Sequence, residues 1–80
     1  MKETETRLSE LNIGEKCTVI GFESAQSRKQ RLMDLGLISG ARILCISASP
    51  FGNPKAYVIR GSVIAIRNSD ADCVKVSKLP

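Results

Sequence analysis

Three glycine-bearing breaks divide this chain: Arg31-Leu32-Met33-Asp34-Leu35-Gly36-Leu37, Pro50-Phe51-Gly52-Asn53-Pro54 and Arg60-Gly61. A glycine after a helical stretch supplies the left-handed residue that ends it, and two prolines around a glycine fit only a turn or loop. The first break therefore closes a short helix, and the other two separate strands.

Eighty residues predict one domain over 1–80, near the lower size at which a hydrophobic core alone can hold a fold. Three aromatics (Phe22, Phe51, Tyr57) and no Trp make that core aliphatic. No apolar run approaches the roughly 18 residues that cross a bilayer, and Met1 to Thr6 lacks the apolar stretch of a secretion signal. A soluble, cytosolic chain, not itself inserted in a membrane, is expected. Three cysteines without close spacing make no disulfide framework and read as free thiols of a reducing compartment.

Thr6 to Gly14 carries Leu8 and Leu11 and fits a short turn that tucks two leucines under the domain. Cys17 to Phe22 reads as the first strand. Ser27 to Gln30 has capping-box spacing, which predicts a helix from Ser27 to about Asp34 with Leu32 and Leu35 inward and Gly36 ending it. Ala41–Ala48, Lys55–Arg60, Ser62–Arg67 and Asp72–Ser77 alternate as strands. Tyr57 and Ile59 share one face of the third strand. In the last strand Val74 and Val76 point inward and Cys73, Lys75 and Ser77 outward; Asn68-Ser69-Asp70 before it reads as a turn. About five short strands, with one short helix after the first, predict a mainly β fold. Closure satisfies strand edges, so the expected form is a small Src-homology-3-like barrel with the helix over one opening.

The residues exclude several chemistries. Without His there is no imidazole for proton transfer, no acids are paired in an apolar stretch, and neither glycine-rich phosphate-loop pattern occurs. No catalytic residue, nucleotide or other cofactor, or small-molecule substrate is expected. Cys17, Cys45 and Cys73 lie on strands that would be neighbours if the last pairs with the first, and three thiolates bind soft metals. Free cysteines in apolar strands are more often small packing residues, so no metal site is expected.

Two surfaces are candidates for binding. The loop Pro50, Phe51, Gly52, Asn53 and Pro54 is stiffened by its prolines, and Phe51 either offers an apolar anchor or folds back to plug the barrel end. The helix carries Arg28, Lys29 and Arg31 on its outer face, able to steer toward an acidic partner. Residues 1–25 hold three basic and five acidic side chains, net −2, and residues 26–80 hold nine and three, net +6, for a total of +4. That bias toward acidic partners keeps a nucleic-acid-binding barrel as the alternative, although aromatic platforms for base stacking are scarce.

Several residues together resemble one family: Leu8-Ser9-Glu10-Leu11 before Gly14, Arg31-Leu32 with Leu35-Gly36-Leu37 and Gly40, Pro50 to Pro54, Arg60-Gly61, Ile64-Ala65-Ile66-Arg67, and Ala71 before Val74 and Val76. In this order they are similar to the ferrous iron transport protein A family over about residues 8–77. The resemblance implies a bacterial, cytoplasmic accessory or regulatory protein of ferrous iron uptake. Its implied partner is the cytosolic domain of the large membrane transporter that carries a GTPase domain, which would recruit it to the inner face of the membrane.

Overall fold

The computed structural model describes residues 4–23 and 26–79. In chain order these form β1 (Thr4–Arg7), a 3-10 turn (Leu8–Glu10), β2 (Lys16–Phe22), α1 (Gln26–Asp34), β3 (Arg42–Ala48), β4 (Lys55–Ile59), β5 (Ser62–Ile66), the one-turn helix α2 (Asn68–Ala71) and β6 (Val74–Lys78). All strands belong to one antiparallel sheet in the order β1-β6-β2-β3-β4-β5. Irregularities between Val19 and Gly21 in β2, and between Cys45 and Ser47 in β3, bend those strands and let the sheet curl around its core.

Alternation places Cys17 and Val19, Ile43 and Cys45, Tyr57 and Ile59, and Val74 and Val76 on the concave face, all buried. The 3-10 turn delivers Leu8 and Leu11 to the same core. It also ties the two ends of the sheet together without a strand ladder. The Lys55 Nζ donates to the carbonyls of Ser9 (2.7 Å) and Leu11 (3.0 Å), and the Tyr57 hydroxyl donates to that of Leu8 (3.3 Å).

α1 ends as its sequence requires. The Leu37 amide donates to the Leu32 carbonyl at 3.2 Å and the Gly36 amide to that of Met33 at 2.9 Å, with Gly36 at φ +103°. These two bonds are a Schellman stop, and the left-handed residue at its centre costs glycine nothing. Arg60 (φ +52°) and Gly61 (φ +83°) form the two-residue β4–β5 turn, in which both positions are left-handed as a tight hairpin requires.

Five expectations change. The strand β1 was not foreseen: Thr-Glu-Thr-Arg has no apolar alternation and is held by backbone pairing to β6. The helix begins at Gln26, which makes Ser27 its second residue and not its cap; the residues just before Gln26 lie outside those described. Leu35 is 41% exposed, because the Schellman turn carries Leu37 into the core instead. Asn68, Ser69 and Asp70 are one helical turn, with the Ala71 and Asp72 amides closing on Arg67 and Asn68. Ser77 is buried, lying between Glu5 of β1 and Thr18 of β2 in the ladder.

Candidate functional site

The Pro50–Pro54 loop joins β3 to β4, and its own backbone and side chains fix its shape. The Gly52 amide donates to the Ser49 carbonyl (2.8 Å), the Asn53 amide to the Ser49 hydroxyl (3.0 Å) and the Ser49 amide to the Pro54 carbonyl (3.1 Å). The peptide before Pro54 is cis. Asn68 of α2 then braces the loop from below: its amide donates to the Asn53 side-chain carbonyl (2.9 Å) and its side chain to the Gly52 carbonyl (3.0 Å). Between these ties Phe51 stands 96% exposed. The alternative in which it plugs the barrel end is not adopted. A rigid loop presenting a bare phenyl ring loses little entropy when that ring enters an apolar pocket.

The helix cations are placed differently from what the sequence implied. Arg28 and Arg31 reach across to Asp70 of α2 at 3.5 and 3.4 Å, and Arg67 approaches the same carboxylate at 3.9 Å. The Asp70 side chain is largely covered, so this cluster docks α1 onto α2 as well as holding charge at the surface. Lys29 sits over the Phe22 ring, 5.9 Å from its centroid, an ordinary cation–π distance. The face is therefore basic but engaged. The loop and the helix face are also not joined into one surface by any hydrogen bond or ion pair between their candidate residues among those described.

The thiols do not converge. Cys17 and Cys45 are buried on neighbouring strands, whereas Cys73 is half-buried before β6, where it accepts from the Arg28 guanidinium at 3.4 Å. Among the described residues no three Cys, Asp or Glu side chains are arranged to hold a metal ion. Burial, then the Cys45 thiol and Glu15, push the Cys17 thiol up from 9.0 to about 12. Burial raises Cys45 and Tyr57 as well. Each group holds its proton more tightly when folded, so its contribution is complete below the unfolded value and is lost as pH rises through the folded one. For Cys17, stability should fall above about pH 9 by up to roughly 1.4 kcal/mol per pH unit. Urea midpoints measured between pH 8 and 10.5 should decline, and Cys17→Ala should flatten the decline; an identical slope in the variant would contradict it.

A third surface escaped the sequence reading. The convex face of β2, β3 and β4 holds an open groove of about 350 Å³, with Leu44, Val58 and Leu79 among its walls and Lys16, Arg42 and Arg60 around it. The signal was present in the alternation, since Lys16 pairs with Leu44, Leu44 with Val58, and Thr18 with Arg42 across the ladder. It needed strand order to be recognised.

A six-stranded, curled antiparallel sheet with a helix inserted after its second strand is the Src-homology-3-like class of small barrels. The FeoA domain model matches residues 6–78, and the chain belongs to the FeoA domain family. A FeoA-like protein from Clostridium acetobutylicum superposes with a TM-score of 0.89 at 30% identity, covering 100% of this chain and 92% of that one. A zinc-complexed FeoA from Stenotrophomonas maltophilia matches with a TM-score of 0.76 at 25% identity, over 89% of this chain and 88% of that one. It is described as a prokaryotic SH3 domain protein and suggested as a ferrous iron transport activating factor. The third relative is a fusion of Fe(2+) transport protein A with the Fe(2+) transporter FeoB from Porphyromonas gingivalis, 27% identical over 70 residues. That match takes in 88% of this chain, which spans 8% of the fusion's length. Among the described residues no helix is long and apolar enough to cross a membrane.

Proposed function

We propose that this chain is a cytoplasmic, non-enzymatic accessory of ferrous iron uptake that binds the cytosolic part of an FeoB-type transporter, the part carrying its GTPase domain. The fusion relative carries the reading: there an FeoA-like segment and the transporter share one polypeptide. Covalent linkage raises the effective concentration of two modules that work together, and separate chains replace it with an interface. The Phe51 loop supports such an interface, because an exposed aromatic on a rigid support is the kind of side chain that dominates binding energy. Arg28, Lys29 and Arg31 serve at the rim, where charge raises the association rate more than the affinity.

The test is binding of the purified chain to the transporter's cytosolic domain. Phe51→Ala should weaken it by about 1–4 kcal/mol, at least several-fold in Kd. The melting temperature should not move, since the ring makes almost no contact with its own domain. Equal affinity in parent and variant would remove the loop from the interface; no binding by the parent would remove the reading itself. Nucleic-acid binding loses ground on the helix, where the two arginines already face Asp70.

A further inference from the structure

Almost every described lysine and arginine has a partner. Arg28, Arg31 and Arg67 converge on Asp70, and Lys29 lies over Phe22. Arg7 and Lys75 meet Glu23, Lys78 meets Glu15, and Lys55 donates to two carbonyls. The exceptions are Lys16, Arg42 and Arg60, whose side chains make no ion pair, hydrogen bond or ring contact among the described residues, and all three line the same groove. No acidic side chain lines it with them. Unpaired like charges gathered around one cleft raise its potential and draw in the opposite sign.

The floor of this cleft is aliphatic. Leu44 and Val58 are paired neighbours at its centre, Leu79 closes one side, and Val63, paired with Val58 and 65% exposed, continues the apolar stripe onto β5. None of Phe22, Phe51 and Tyr57 contributes to it, so it has no platform on which a base would stack. An anion held by charge alone would leave this apolar surface uncovered. We infer that the groove is a docking site for an acidic, leucine- or valine-bearing protein segment, whose apolar side chains cover Leu44, Val58 and Val63 while its carboxylates meet Lys16, Arg42 and Arg60. The site goes beyond the transporter reading and lies away from its loop: Arg42 and Arg60 mark one end of the β3–β4 hairpin, and Phe51 lies past the other.

A fluorescein-labelled twelve-residue peptide alternating leucine with glutamate is the probe, read by fluorescence anisotropy and by amide shifts of the full chain. It should bind, with the largest shifts at Lys16, Leu44, Val58 and Leu79. Peptides with serine for leucine, or glutamine for glutamate, should bind at least tenfold more weakly. Arg42→Glu, and separately Lys16→Glu, should each weaken the parent peptide tenfold or more without lowering the melting temperature, because both side chains are exposed on strands. Phe51→Ala should leave the peptide's affinity unchanged, so a failure of this site and a failure of the loop read separately. The inference is overturned if the peptide does not bind or its shifts map elsewhere. It is equally overturned if the serine peptide binds as well as the leucine one, or if a twelve-nucleotide RNA or DNA or vesicles of anionic lipid bind more tightly than the peptide.

Discussion

Tyr57→Ala should leave the chain mostly unfolded at 25 °C in a urea titration followed by circular dichroism. Among the described residues Tyr57 is the largest fully buried side chain, at the middle of β4 and within the core cluster. Removing a buried aromatic typically costs about 3–5 kcal/mol. The Leu8 carbonyl also loses one of its two donors, keeping the Leu11 amide at 3.1 Å, at a further cost of about 0.5–1 kcal/mol. A domain of this length is stabilised by only about 4–12 kcal/mol, so the loss is comparable to the whole. Tyr57→Phe separates the two contributions, because it keeps the ring and removes only the bond to Leu8, with an expected cost of about 0.5–1.5 kcal/mol. A Tyr57→Ala protein with a parental urea midpoint would show that β4 does not hold the core.

Gly36→Val should be the next most damaging change. At φ +103° a β-branched residue is strained by about 1–3 kcal/mol. A Cβ at this position would also lie 3.2 Å from the Ile59 Cγ2 and 3.3 Å from the Arg60 Cδ. Ile59 is itself buried and can yield only by shifting β4, so crowding adds to the strain. The sum is roughly 2–4 kcal/mol, which lowers the melting temperature of a domain this small by on the order of 10–20 °C. Gly36→Ala should fall between the two, and a melting curve for Gly36→Val that overlays the parent's would place the end of the helix elsewhere.

What the sequence disclosed, and what it withheld, follows the range of the interactions. Gly36 and the Arg60-Gly61 turn were legible because the backbone demand and the residue that meets it are neighbours. Tyr57, Ile59, Val74 and Val76 were legible because alternation has only two phases and one of them is apolar. β1 was not, since its partner lies about seventy residues away and its pairing is carried by backbone groups that every residue has. Ser77 followed from the same omission: without β1 beside β6 its position looks solvated. Arg28 and Arg31 read as free surface charge because their partner, Asp70, reaches them only after β5 has returned the chain past α1. For Phe51 the composition of the loop was decisive about rigidity and silent about direction; direction comes from Asn68, a residue beyond the next hairpin. The unpaired cations of the groove are visible only once all the paired ones are known.

The register of the outer ladder has a consequence for how this barrel is tethered. Thr4 lies opposite Lys78, and Lys78 opposite Cys17, so the backbone enters and leaves the fold on adjacent strands, about 5 Å apart. A polypeptide continuing from either side would depart from nearly the same point, at the pivot of adjacent strands. Leu79, at that pivot, is also a wall of the basic groove. A linker leaving there starts its path within reach of Lys16, and an acidic one would meet the groove as an intramolecular neighbour instead of by diffusion.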